Sequence, residues 1–144
     1  MDLVEFLTAR LDDDAAAAKR VESRWRQIGE TGVIVASDGT HAEECANGNW
    51  AGIAEHIVRH DPARVLAEVD AKRRILASYT EAVLVRDEAT QWAMSPSPVI
   101  TNPGADGVER WTRARDAAFF LEPAIRLLAQ PYASHPDYDE AWCP

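Results

Sequence analysis

The sequence predicts a mainly α-helical protein: a small helical domain with one short β-hairpin between its first and second helices. Three observations carry this expectation. Apolar residues recur at three- and four-residue steps near both ends and in the middle of the chain, one β-branched triplet stands between turn signals, and two helix starts carry recognisable caps. With 144 residues, 47% of them apolar, the chain is sized for one continuous core, so residues 1–144 are expected to form a single domain.

The first element opens on Asp2 with Glu5 three residues later, a capping-box pattern. Leu3, Phe6, Leu7, Leu11, Ala15, Ala18, Val21 and Trp25 then follow at helical spacing, predicting a long amphipathic helix. Asp12-Asp13-Asp14 fan over most of a turn, so they read as a solvated face and cannot converge on one ion. Past Gln27, Val33-Ile34-Val35 and the turn residues Ser37-Asp38-Gly39-Thr40 predict the hairpin. Ala51 to His60 reads as a short helix with Ile53, Ile57 and His60 along one stripe.

Asp61-Pro62 then supplies an N-cap and a first-turn proline for a central helix running to about Ala89. Its residues Val65, Val69, Leu76 and Tyr79 are expected in the core with Leu3, Phe6, Leu7 and Leu11. The segment from Met94 to Gly107 (94–107) holds Pro96, Pro98 and Pro103 and is expected to be a loop. A further helical face runs through Trp111, Ala114, Ala118, Phe119 and Leu121. Pro123 is expected to kink or restart it before Ile125, Leu127 and Leu128. The aromatic block from Pro131 to Trp142 looks like a tail that docks.

Composition narrows the function. With 24 acidic against 15 basic residues and a net charge of −9, the chain opposes non-specific attachment to nucleic-acid phosphates or anionic lipid. The start Met1-Asp2-Leu3-Val4-Glu5 lacks a basic, apolar leader, and no run is long enough to span a bilayer; a cytoplasmic protein is expected. Cys45 and Cys143 are then expected as free thiols.

His56 and His60 stand at i and i+4 on one helical face, as in half of a zinc-binding H-E-x-x-H helix. Ile57 follows His56 where the general base belongs, and the spacing to His41 and Cys45 matches no common finger, so no metal is expected. The two imidazoles are expected to pack, one beside Trp50 and one near the helix junction. Lys72-Arg73-Arg74 reads as a set of i,i+4 ion pairs, Glu68 to Lys72 and Asp70 to Arg74. A basic patch joining Arg59, Arg64 and Arg73 is the functional alternative, because arginine suits phosphate or carboxylate. No nucleophile elbow, phosphate loop or dinucleotide fingerprint occurs, so no catalytic residue and no cofactor is assigned.

Three blocks in order, Asp2 to Asp12, His56 to Leu76 and Leu127 to Trp142, resemble a family of small actinobacterial and actinophage proteins, the uncharacterised DUF6221 family. The resemblance implies a host of that lineage, often in a prophage or phage setting, and supplies no activity. Relatives often carry cysteines and histidines between the central helix and the terminal block, which would suit a metal site. This chain has the Pro-rich segment and the helix around Trp111 there instead.

The resulting expectation is an accessory or regulatory protein that acts by binding another protein, motivated by five tryptophans and the aromatic C-terminal block. Residues expected to bind a ligand or partner are His56, His60, Arg64, Arg73, Tyr132, His135, Tyr138 and Trp142. The competing expectation is a small ligand-binding or hydrolytic protein with a pocket of His56, His60, Arg64 and His135. Homo-oligomerisation is left open.

Overall fold

The computed structural model describes residues 1–21, 24–37, 40–94 and 104–144. Its elements in order are α1 (Leu3–Lys19), β1 (Arg24–Gln27), β2 (Val33–Ser37), β3 (Ala42–Asn47), α2 (Ala51–Arg59), α3 (Pro62–Met94) and α4 (Gly104–Ala129), followed by short 3-10 turns at Gln130–Tyr132 and Glu140–Trp142. The fold is mainly α. Its β portion is a three-stranded antiparallel sheet in the order β1-β2-β3, one strand more than a hairpin.

The extra strand comes from the end of the expected first helix. α1 stops at Lys19, and Trp25 pairs with Ala36 across the sheet. Trp25 fits the 3.6-residue pattern of α1, but an aromatic residue also suits a half-buried strand, and the ladder to β2 decides between them. The other boundaries also shift. α3 runs on to Met94, and residues 104–107 belong to α4, which continues through Pro123 as one helix. The core of the Pro-rich segment, 95–103, and the Asp38-Gly39 turn lie outside the described residues.

The chain forms two compact units. One comprises Met1–Ala9 with Lys72–Pro144, the other Arg10–Ala71; α1 and α3 each contribute to both.

In the second unit β2 is the central strand. Ile34 is fully buried and Val35, facing the other side of the sheet, is buried too, alongside Leu11, Ala15, Ala18, Ala54 and Val69. β3 is an edge strand with Glu43 and Glu44 exposed and a register shift opposite Ile34/Val35, both devices that discourage edge-to-edge pairing. Two glycines let the β1–β2 turn approach the β3–α2 turn: the Gly48 N–H donates to the Gly32 carbonyl at 2.8 Å. A Cβ at Gly32 would sit 2.7 Å from the Asn49 nitrogen. α3 starts as read from the sequence: the Asp61 carboxylate accepts the Arg64 N–H at 2.8 Å, and buried Pro62 occupies the first turn.

In the first unit α1 opens on a reciprocal capping box, with the Asp2 N–H donating to Glu5 at 3.0 Å and the Glu5 N–H to Asp2 at 2.8 Å. Phe6, Leu7, Leu76, Ala82, Ala118, Ile125 and Ala129 are its buried apolar residues. Of the expected core, Leu3, Val65 and Tyr79 are only half-buried. The C-terminal block docks around Phe6. The rings of Trp142, His135, Tyr138 and Tyr132 lie 4.9, 5.7, 6.0 and 6.3 Å from it by centroid, mostly edge-on. Further along the same unit the Trp92 and Trp111 rings meet at 5.1 Å, tilted by 47°. The Trp111 indole N–H is shielded from solvent and finds no acceptor among the described residues. Such a group costs about 1–3 kcal/mol until an acceptor reaches it.

Candidate functional site: an exposed apolar face on α4

α4 is apolar on two opposite faces. Ala118, Ile125 and Ala129 point into the core, while Phe119, Phe120, Pro123 and Leu127 fall within an arc of about 100° on the other side. Phe119 and Phe120 are 71% and 73% exposed and meet edge-on at 5.4 Å; Leu127 is 54% exposed. The two phenylalanine rings alone leave on the order of 300 Å² of apolar surface in water. That already matches the largest apolar patch of a typical monomer, roughly 300–600 Å² and often functional.

Beside this face runs an open groove of about 490 Å³, walled by Phe119, Phe120, Pro123, Cys143 and Pro144. Arg126, also on α4, lines it too. One guanidinium nitrogen donates to the Ala141 carbonyl at 2.8 Å and another to Glu122 at 2.8 Å, tying the last residues to α4. Pro123 adds a polar detail: lacking an N–H, it leaves the Phe119 carbonyl without its helical donor, a backbone acceptor on the exposed face.

Tyr79 belongs to the same unit. Burial, and next the negative charge of Glu122, push its phenol above the ordinary tyrosine value, against a smaller opposing pull from Arg86 and Arg126. A folded-state value above the unfolded one stabilises the fold fully below about pH 10, and the contribution disappears as pH rises through the folded value. Tyr79→Phe should therefore flatten the alkaline limb of a stability-against-pH curve above about pH 10 and leave it unchanged at neutrality. An unaltered alkaline limb would show that Tyr79 does not drive it.

The residues singled out in the sequence fall into different settings. The His56 and His60 rings meet at 4.7 Å, tilted by 53°, and both are exposed, because Ala54 takes the buried side of α2. Neither is packed away, and Trp50 at the start of α2 is 74% exposed. Arg64 is held by Glu68 at 2.7 Å and by the Arg59 carbonyl at 3.1 Å, so Glu68, expected to serve Lys72, also reaches back to Arg64. These residues belong to the second unit; Arg73, exposed on α3, and His135 belong to the first. Tyr132, His135, Tyr138 and Trp142 are half-buried around Phe6, which gives the C-terminal aromatics a structural task. Cys45 and Cys143 are exposed free thiols. Among the described residues no three His, Cys, Asp or Glu side chains gather as a metal site.

Sequence reasoning assigned Phe119 to an inward helical face and did not single out Phe120. A signal was present: Ala117-Ala118-Phe119-Phe120-Leu121 is a five-residue apolar run, which at 100° per residue wraps the helix and cannot all face one core.

A mainly helical protein with an exposed apolar face is the class that the geometry defines. Comparison of the whole sequence places it further: residues 1–144 match the family of unknown function DUF6221, and the chain belongs to that family. No curated protein and no solved structure matches it. Among the described residues no helix is long and apolar enough to cross a membrane.

Proposed function

We propose that this chain is an accessory or regulatory protein that acts by binding another protein through the α4 face. The supporting observation is the run of Phe119, Phe120 and Leu127 held in water on one side of a helix whose other side is buried. Aromatic side chains of this kind are the common anchors of protein interfaces. The partner is a different protein of neutral or basic net charge presenting an apolar surface. A second copy would bring another net charge of −9 and repel the first. The actinobacterial and phage setting implied by the family resemblance is part of this proposal and names the lysates to use.

The test is an affinity capture from such a lysate, comparing the wild-type chain with Phe119→Ser/Phe120→Ser. A discrete basic or neutral protein retained by the wild type, lost with the double variant and kept by Trp50→Ser carries the proposal. Equal retention by wild type and double variant, or no retained protein at all, would sink it.

A further inference from the structure

Between the C-terminal half of α3 and the N-terminal half of α4, within the first unit, lies a second groove of about 340 Å³. Its volume is in the range of small-molecule sites. Ala89, Ala93, Met94, Val108 and Trp111 make its apolar lining; Met94 and Val108 are largely exposed to it and to solvent. Two cations also line it, Arg86 from α3 and Arg115 from α4, and among the described residues no carboxylate does. In a chain with 24 acids and 15 bases that bias is unusual. Asp87 and Asp116 hold the two guanidiniums from outside the lining, each through a single oxygen, which leaves each arginine further N–H donors. The groove also contains Trp111, whose shielded indole N–H has no acceptor among the described residues.

We infer that this groove binds a small amphipathic anion, a carboxylate or similar acid with an apolar body, independently of the α4 contact face. The apolar body lies along Met94, Val108 and the Trp111 ring, while the anionic oxygens take N–H donors from Arg86 and Arg115. The Trp111 N–H is closed off in the free protein, so one of those oxygens reaches it through a small shift of the indole as the apolar body seats. Bidentate guanidinium contacts and a desolvated indole donor favour an ionised oxygen acid over a neutral ligand of the same shape.

Octanoate and octan-1-ol are the probes, titrated by calorimetry into the full chain. The indole N–H resonance of Trp111, assigned with Trp111→Phe, is followed by NMR in parallel. Octanoate should bind at least tenfold more tightly than octan-1-ol and shift that resonance downfield. Arg86→Gln/Arg115→Gln should weaken octanoate at least tenfold with octan-1-ol unchanged, whereas Phe119→Ser/Phe120→Ser should leave octanoate binding intact. Absence of octanoate binding at millimolar concentration, equal binding of the alcohol, or an unmoved indole resonance would overturn the inference. So would transfer of the loss to the Phe119/Phe120 variant. Because the alcohol comparison and the resonance use the wild-type chain, the outcome does not depend on the arginine variant folding.

Discussion

Phe6→Ala should lower the stability of this protein by about 3–5 kcal/mol, the cost of emptying a fully buried aromatic site. Tyr132, His135, Tyr138 and Trp142 all place their rings against Phe6. Its loss therefore leaves a cavity and also frees the C-terminal block, since each such ring pair contributes about 0.5–1.5 kcal/mol beyond its buried area. Urea unfolding followed by circular dichroism measures the loss. Near-ultraviolet dichroism should collapse in the aromatic region, and amide exchange from 131 to 142 should accelerate. A double-mutant cycle with Trp142→Ala should show strong coupling between the two, because the closest of the four rings shares the cavity. A variant that unfolds like the wild type, with its C-terminal amides still protected, would remove Phe6 as the anchor.

Ile34→Ala should cost about 2–5 kcal/mol, as a fully buried aliphatic side chain in the central strand has no solvent route by which the gap can relax. Ile34 pairs with Gln27 on one side and Ala46 on the other, so it sits where β1 and β3 are both joined to β2. Ile34→Val, which removes one methylene, should cost about 0.5–1.5 kcal/mol and serve as the scale for the larger cut. Both are read from the midpoint of urea unfolding with the slope unchanged. If Ile34→Ala cost no more than Ile34→Val, the sheet would not be part of the second unit's core.

The helices, and the starts of α1 and α3, were legible in the sequence because their causes are local. Asp2 with Glu5, and Asp61 with Pro62, carry short side chains and a fixed φ that act on the next turn, and both caps form as read. Periodic burial was legible for Phe6, Leu7, Leu11, Val69 and Leu76, which repeat at helical steps and are all buried. Family membership was legible too, from three separated blocks, and it holds across residues 1–144.

Strand β1 and the inner or outer fate of each aromatic were decided by the tertiary structure. Trp25 obeys the period of α1, and only a β2 strand lying alongside, with Ala36 opposite, turns it into strand. The C-terminal aromatics and Phe119-Phe120 are the same kind of residue in sequence terms. The first set finds Phe6 and becomes half-buried; the second has its helix's core side already filled by Ala118, Ile125 and Ala129 and stays in water. Composition and periodicity fix how much apolar surface a chain carries and at what spacing. Which part of that surface is left over is a property of packing between distant segments, since a core admits only the side chains that its volume can hold.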